Sequence, residues 1–226
     1  MIDPTAISPT SLAALNDCFA PLSPEERIRA LYANFPKEKV LFTSSFGTTA
    51  AVLLHMFNQI EPQQLIHFID TTYHFTETWA YRRQLTDLLH LEVFDVLPAD
   101  WKNKFTQEDQ TWTKDPNLCC GINKVEPLDK LKPDFDVWVS GLMAYQNTER
   151  KRKNVFEKSG NLLKFHPIID MTESQMNDYF ATHQLPRHPM QRLGYDSIGC
   201  AQCTVKGKGR SGRWLGKSKT ECGLHL

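Results

Sequence analysis

The stretch that decides the fold is Val40-Leu41-Phe42-Thr43-Ser44-Ser45-Phe46-Gly47-Thr48-Thr49, which runs into the apolar segment 50–57. Its first four residues predict a short buried strand, and the apolar segment predicts a helix. Ligands of open parallel sheets bind where a strand ends and a helix begins, because the free backbone N–H groups there attract an anion. The stretch therefore predicts a strand, a loop that faces a ligand, and a helix.

The loop of this unit is Ser44-Ser45-Phe46-Gly47. The hydroxyls of Ser44 and Ser45 can donate hydrogen bonds to an anion, and Gly47 lets the backbone approach it closely. The loop lacks both the Gly-Lys-Ser/Thr ending of a P-loop and the Gly-x-Gly-x-x-Gly of a dinucleotide-binding turn. A serine-rich turn that only caps the helix is equally consistent with these residues.

The segments downstream repeat the alternation of strand and helix, which predicts parallel β-α-β units with right-handed crossovers. Residues 98–135 show little periodicity, and we expect them to be irregular. Asp70 ends the second predicted strand, so we expect it at the same edge of the sheet, where it either contacts a ribose or adenine or caps its own loop. We predict an α/β fold, a parallel twisted sheet flanked by helices, with strands at 40–43, 65–69, 93–97, 137–140 and 163–169 and helices at 24–35, 50–57, 76–89 and 172–182.

Length and charge distribution indicate one domain with a distinct C-terminal segment. The chain has 226 residues, 41% of them hydrophobic, with 26 basic and 26 acidic side chains. From Thr204 onward there are six Lys and Arg residues and one Glu, a net charge of +5 that leaves −5 on the rest of the chain. We therefore predict a single α/β domain over 1–203 and a flexible basic tail over 204–226.

The balanced charge and the hydropathy bear on partners and location. A formal net charge of zero argues against a dedicated nucleic-acid or membrane-surface binder. The N-terminus has neither the basic start nor the apolar core of a signal peptide, and no apolar run reaches the roughly 18 residues of a membrane span. We expect a cytoplasmic protein with no nucleic-acid or membrane partner, compatible with a homo-oligomer.

Four of the six cysteines form two close pairs, Cys119-Cys120 and Cys200-x-x-Cys203. Paired thiolates are typical of zinc and iron–sulfur sites, and four of them complete a tetrahedral zinc site or a four-iron cluster. The adjacent pair favours the cluster, although zinc, a redox dithiol and buried apolar cysteines are also consistent with the pattern. Cys18 lies in an amphipathic segment, and we expect it to be inert.

Cys222 stands apart from these pairs, in the closing segment Lys-Thr-Glu-Cys-Gly-Leu-His of residues 219–225. Chain ends are mobile, so we expect its thiol to be exposed. Lys219 and His225 are cationic neighbours that favour the thiolate form. These features are typical of a nucleophile, and an incidental terminal cysteine is the alternative.

Several motifs occur together and in a fixed order. They are the Ser-Ser-Phe-Gly loop, Cys119-Cys120 followed by Lys124, Gly199-Cys200-x-x-Cys203-Thr204, Gly212-Arg213-Trp214 and the closing Glu-Cys-Gly-Leu-His. From Glu38 onward the chain resembles the assimilatory adenylyl-sulfate/phosphoadenylyl-sulfate reductases, in particular the iron–sulfur branch that prefers adenosine 5′-phosphosulfate. The C-terminal motifs are specific to that family, whereas other enzymes of adenine nucleotides share the Ser-Phe-Gly loop.

The resemblance implies an adenine nucleotide α-hydrolase-like (PP-loop) fold and a [4Fe–4S] cluster on Cys119, Cys120, Cys200 and Cys203. It also implies that adenosine 5′-phosphosulfate, or its 3′-phosphorylated form, is reduced to sulfite in sulfate assimilation. The intermediate would be an S-sulfocysteine at Cys222, which thioredoxin or a similar dithiol protein resolves. The residues expected at the substrate are Ser44, Ser45, Gly47, Asp70, Lys124, Gly141, Arg150, Arg210, Arg213 and His225.

Arginines common in the family are absent near Asn123, Met143, Ala144 and Val205, which leaves the choice between the two substrates open. A related enzyme that activates ATP, such as a tRNA-thiolating or sulfate-adenylylating protein, would share the loop but would not need the Glu-Cys-Gly-Leu-His end. A zinc-knuckle nucleic-acid binder would combine the Cys-x-x-Cys with the basic tail. Colour distinguishes the last alternative, because an iron–sulfur protein is brown and a zinc protein is colourless.

Overall fold

The computed structural model describes residues 11–217, 219 and 221–224. Its strands form one six-stranded sheet, in which the last-but-one strand along the chain runs antiparallel and the others run parallel. The α/β sheet predicted from the sequence is thus confirmed. The strands are β1 (Val40–Ser44), β2 (Ile66–Ile69), β3 (Val93–Val96), β4 (Val137–Val139), β5 (Phe156–Ser159) and β6 (Leu162–Phe165), arranged in the order β3-β2-β1-β4-β6-β5.

Helices flank the sheet, and two of them begin at capping boxes. Ser23 pairs with Glu26 at the first, and Thr172 pairs with Gln175 at the second. Across the described residues, no helix is both long and apolar enough to cross a membrane. The helices are α1 (Leu12–Phe19), α2 (Pro24–Asn34), α3 (Ala50–Ile60), α4 (Thr76–Leu89), α5 (Asp100–Glu108), α6 (Thr111–Lys114), α7 (Pro116–Cys120), α8 (Glu126–Leu131) and α9 (Glu173–Thr182).

Residues 98–135 are largely helical, so the expectation that they would be irregular is wrong. The inward faces of these helices carry polar side chains, such as Asn103 and Thr106, which are buried in a hydrogen-bond network. Periodicity of apolar residues therefore did not reveal them. The start of α7 does carry a signal, because Asp115 accepts hydrogen bonds from the backbone N–H groups of Asn117 and Leu118, and Pro116 occupies the first turn.

The strand predicted at 163–169 is shorter than expected and forms half of a hairpin. β6 ends at Phe165, and β5 precedes it and pairs with it antiparallel. Gly160 makes the connecting turn with a φ of +63°, a conformation that favours glycine. The sequence analysis missed β5 because the alternation of Phe156-Glu157-Lys158-Ser159 is short and partly charged.

The order of the strands reverses at β1. The chain moves outward from β1 through β2 to β3, and then crosses back to place β4 on the other side of β1. Phe42 in β1 consequently lies beside Ile66 of β2 on one side and Val139 of β4 on the other. Because the connections after β1 and β4 leave in opposite directions, a crevice opens at the carboxyl edge between them.

A hydrogen bond from a buried tryptophan ties β1 to β4 beneath this crevice. Trp138 is fully buried, and its indole Nε1 donates to the Thr43 hydroxyl at 2.8 Å. A buried indole N–H needs such a partner to offset the loss of its contact with water. The bond therefore fixes the relative position of the two strands whose ends carry the site.

Arg27 of α2 anchors the N-terminal helices to the chain that follows β6. Its guanidinium is 1% exposed and donates to the carbonyl oxygens of Phe19, Ala20 and Pro167. Both terminal nitrogens also donate to the Asp170 carboxylate, at 2.6 and 2.7 Å. This two-point pairing gives the buried cation a fixed counter-charge.

Replacing Asp170 by Asn should lower the free energy of unfolding by about 1–2 kcal/mol, since Arg27 would keep its carbonyl partners but lose its counter-charge. Burial acts to raise the pKa of Asp170, but the hydrogen bonds and charge of Arg27 outweigh it and lower that pKa. The stabilisation is therefore present above the unfolded pKa of about 4 and is lost as the pH falls through the folded pKa. Urea unfolding at neutral and acidic pH measures this: the two proteins should converge in acid, and an equal difference at both pH values would contradict the ion pair.

Candidate active site

A cavity of about 720 Å³ opens at the carboxyl edge of the sheet, in the crevice between β1 and β4. Its wall is built from the ends of these strands, the loop into α3, the chain after β4 and the C-terminal segment. Segments far apart in sequence thus converge on one space. The residues from the sequence prediction that line it are Ser44, Ser45, Gly47, Lys124, Gly141, Arg150, Arg210, Arg213 and Cys222.

Two predicted site residues stand outside this set. Asp70 is buried, and its carboxylate accepts a hydrogen bond from the backbone N–H of Thr72 at 2.7 Å. The structure therefore places Asp70 as a cap of its own loop, which is the alternative role considered for it, and not on the cavity wall. His225 lies outside the residues that the structure describes.

The loop into α3 is shaped to face a ligand. Phe46 adopts a φ of +48°, and its backbone N–H donates to the Ser44 hydroxyl at 3.1 Å. Thr48 donates through its hydroxyl to the backbone oxygen of Asp196 at 2.9 Å, which joins the loop to the C-terminal part of the chain. In the described structure Thr49 makes no side-chain cap bond to α3, and the first N–H of this helix, that of Ala50, donates to the Gly47 carbonyl at 3.1 Å. The N–H groups that follow it are the ones that an anion at this helix start would meet.

Ser140 is a residue of the cavity wall that the sequence analysis missed. It follows β4 directly, is 2% exposed, and its hydroxyl has no hydrogen-bond partner among the described residues. A buried hydroxyl without a partner on a cavity wall is well placed to bond a ligand. The available signal was its position at the end of a predicted strand, immediately before Gly141.

Among the described residues, six cations line the cavity: Lys124, Arg150, Arg187, Lys208, Arg210 and Arg213. Lys124 is one of the two that are buried. It lies on the π-helical turn Gly121–Val125, directly after Cys119-Cys120, and is 9% exposed. Burial acts to lower the pKa of Lys124, but attraction to the sulfur atoms of Cys200, Cys222 and Cys120 in their thiolate form outweighs burial and raises it. The ammonium group is thus held charged next to the Cys222 thiol.

Arg213 also lines the cavity. Its guanidinium donates to the backbone oxygen of Ile198 at 3.0 Å and lies over the Trp214 ring, 4.4 Å from the ring centre. A Cβ atom at Gly199 would overlap the Arg213 guanidinium, so glycine leaves the space that the guanidinium occupies in this position. The Gly-Cys motif and the Gly-Arg-Trp motif therefore pack against each other.

Glu221 is a second residue that the sequence analysis missed, and it pairs with two of the arginines that line the cavity. It is 5% exposed, and Arg150 contacts both of its carboxylate oxygens, at 2.7 and 3.0 Å. Arg210 and Asn147 donate to the same carboxylate at 3.0 and 2.8 Å. Burial acts to raise the pKa of Glu221, but these partners outweigh it and lower the pKa, so the residue remains a carboxylate.

The described part of the C-terminal segment lies against the domain at several points. Lys217 donates to the backbone oxygen of Thr113 at 2.7 Å, and Leu224 packs against the apolar cluster that contains Leu41 and Leu128. Cys222, between Glu221 and Leu224, is half-buried on the cavity wall. The segment predicted as a flexible tail therefore makes specific contacts in this structure, and its thiol is less open than an unattached chain end would leave it.

The other predicted cysteine set shares a small pocket next to the cavity. Cys119, Cys120, Cys200 and Cys203 all line it as free thiols, together with Tyr73 and Trp112, and Lys124 and Trp214 lie on both walls. Burial raises the pKa of Cys119 to about 12 and that of Cys203 to about 11. The pocket thus brings four cysteine thiols together, and a bound metal would have to displace their protons.

Hydrogen-bond donors support the sulfur atoms of this pocket. Thr71 bonds to Cys200 with an oxygen–sulfur distance of 3.3 Å, and the Asn123 amide donates to Cys119 at 3.6 Å. Within the described residues, no three Cys, His, Asp or Glu side chains are close enough to enclose a single metal ion. In a four-iron cluster each thiolate binds its own iron, so the four sulfurs need not converge on one point. The donor set and its support therefore fit an iron–sulfur cluster.

Comparison with known proteins decides the family. The phosphoadenosine phosphosulfate reductase domain matches residues 39–206. A protein of Bacillus mycoides (strain KBAB4) named adenosine 5′-phosphosulfate reductase is 37% identical over 200 residues, which cover 84% of this chain and 85% of the relative. The chain belongs to the phosphoadenosine phosphosulfate reductase family. A protein of Bacillus cereus (strain B4264) with the same name is 38% identical over 199 residues, at the same coverage of both chains.

Solved structures support the fold. The phosphoadenylyl-sulfate reductase of Candida auris, in a phosphate complex, is similar with a TM-score of 0.73 and 24% identity, over 88% of this chain and 98% of that one. Yeast FAD synthetase is similar with a TM-score of 0.58 and 12% identity, over 91% and 72% of the two chains. The predicted PP-loop-type fold and the predicted family are thus confirmed, and with them an oxidoreductase that acts on a sulfur group.

Proposed function

We propose that this enzyme reduces adenosine 5′-phosphosulfate to sulfite and AMP, with Cys222 as the nucleophile. The curated relatives named adenosine 5′-phosphosulfate reductase support the choice of substrate. The observation that carries the assignment of Cys222 is its position: the thiol lines the same cavity as the Ser44–Gly47 loop, Lys124 and Arg213. A nucleophile, an anion-binding loop and cations are the parts that attack on a phosphosulfate requires.

In the first step the Cys222 thiolate attacks the sulfur atom of the phosphosulfate. A bond forms between the two sulfur atoms, the bond from the sulfate sulfur to the bridging oxygen breaks, and AMP leaves with that oxygen. The attacking group and the substrate are both anions, so Lys124, Arg210 and Arg213 would reduce their repulsion and stabilise the charge that moves onto AMP. The enzyme is left with an S-sulfocysteine.

In the second step a thiolate of an external dithiol protein, for which thioredoxin is the expected donor, attacks the sulfur of Cys222. Sulfite leaves, a mixed disulfide forms, and the second thiol of the donor resolves it and restores the Cys222 thiol. The dithiol supplies both electrons, which take the substrate sulfur from the oxidation state of sulfate to that of sulfite. Because each cycle oxidises one external dithiol to a disulfide, the reducing cytoplasm is the compartment in which this reaction would run.

Cys119, Cys120, Cys200 and Cys203 are proposed to hold a [4Fe–4S] cluster. When bound, the cluster would supply a fixed charge and a covalent link between α7 and the Cys200–Cys203 segment, and no electrons. Lys124 and Trp214 line both the pocket and the cavity. A cluster that fixes the pocket would therefore also fix the positions of these two side chains in the cavity. Asn123 and Thr71 would orient the sulfurs of Cys119 and Cys200 through their hydrogen bonds.

Replacing Cys222 by Ser should lower sulfite release at least about a thousandfold, because a hydroxyl is a much poorer nucleophile than a thiolate. The assay supplies adenosine 5′-phosphosulfate and thioredoxin and measures sulfite. Cys18→Ser is the matched control, since Cys18 lies on α1 and does not line the cavity. Undiminished sulfite release by Cys222→Ser would refute the assignment of Cys222 as the nucleophile. The same assay with the 3′-phosphorylated form of the substrate shows which of the two substrates the enzyme prefers.

Protein purified without oxygen should be brown and contain about four iron atoms per chain. Cys203→Ser should lose iron and colour, whereas Cys18→Ser should keep both, because only the first removes a sulfur from the pocket. Iron analysis and visible absorbance measure this. A colourless wild-type protein that contains zinc would contradict the proposed cluster.

A further inference from the structure

Glu221 immediately precedes Cys222, and its contacts decide where that cysteine lies. Four N–H groups surround the carboxylate: two from Arg150, one from Arg210 and one from Asn147. Ionised pairs with this two-point geometry are about twice as strong as neutral hydrogen bonds. The partners Asn147 and Arg150 belong to the chain after β4, so the pairing attaches the C-terminal segment to the wall of the domain.

A second anchor follows Cys222. Gly223 adopts a φ of +87°, and Leu224 packs against the apolar cluster below the crevice. A Cβ atom at Gly223 would lie 3.4 Å from the Val125 side chain, so the backbone passes close to the π-helical turn that carries Lys124. Cys222 is therefore fixed from both sides, with a charged anchor before it and an apolar anchor after it.

The pairing also changes the role of Arg150. Its Nε and one terminal nitrogen contact Glu221, and the other terminal nitrogen contacts Gln146. While the segment is docked, the guanidinium is thus directed at the protein's own carboxylate. The sequence analysis expected Arg150 to contact the substrate. In this state it instead holds Glu221, the residue that precedes Cys222.

We propose that Glu221 is a positioning residue that docks the C-terminal segment and holds the Cys222 thiol in the cavity for attack on the substrate. Release of the Glu221 carboxylate from Arg150 and Arg210 frees the segment, so that the modified cysteine can reach the external dithiol. The proposal rests on the proposed role of Cys222 as nucleophile. It adds the contact that is made when the segment is docked and broken when the segment is released.

The first test measures the position of Cys222 without turnover. The iron-loaded enzyme is treated with iodoacetamide, a neutral reagent, and alkylation of the C-terminal peptide is followed by mass spectrometry on the high-pH plateau, where every Cys222 is a thiolate. Glu221→Gln should raise the alkylation rate at least about tenfold, because the open population of the segment rises. Leu224→Ala should also raise it, since it removes the other anchor without changing charge.

Asp170→Asn is the matched control, because it also deprives a buried arginine of its carboxylate, whereas neither Asp170 nor Arg27 lines the cavity. It should leave the alkylation rate of Cys222 unchanged. Glu221→Asp keeps the charge and should restore part of the protection. An alkylation rate for Glu221→Gln equal to that of the wild type would overturn the proposal, whatever the activity of either protein.

The second test is the split between kcat and KM in the sulfite assay. Glu221→Gln should lower kcat about tenfold with little change in KM, because the nucleophile is misplaced while the cations remain. A lower KM with an unchanged kcat would overturn the proposal, since it would mean that Glu221 competes with the substrate for the arginines. A wild-type enzyme that releases no sulfite would refute the proposed function instead, and the alkylation rates would still test the docking.

Discussion

The structure depends on the reversal of strand order at β1. Parallel pairing of β1 with β2 and β4 sends the following connections to opposite sides, and the space left between them is the cavity. The bond from Trp138 to Thr43 fixes the two strands beneath it. Because the strand ends are fixed, the loop after β1 and Ser140 after β4 face each other across a gap of constant shape, which suits recognition of a nucleotide.

Charge is the second constraint on this site. The cations that line the cavity repel one another, and burial together with repulsion from Arg150 lowers the pKa of Arg210 to about 10. Glu221, which immediately precedes Cys222, offsets part of this repulsion by pairing with Arg150 and Arg210. The formal net charge of zero thus conceals a positively charged C-terminal segment with a single acidic residue, and that residue is the one that pairs with the cations.

The sequence predicted the parts of this account that depend on local pattern. Alternation of strand and helix gave the sheet, and the order of the motifs gave the family, because both are properties of neighbouring residues. The helices of 98–135 were missed, since their buried faces rest on polar contacts such as the one from Asn123 to Cys119. The pairing of Arg150 with Glu221 joins residues 71 positions apart, and no local pattern could reveal it.

The central claim is that the C-terminal segment presents Cys222 to a phosphosulfate bound in the crevice. The most direct measurement is to incubate the iron-loaded enzyme with adenosine 5′-phosphosulfate and no dithiol, and then to analyse its peptides by mass spectrometry. The account predicts one added SO₃ group on Cys222, formed together with one equivalent of AMP. Release of AMP with no SO₃ group on Cys222, or with that group on another cysteine, would contradict it.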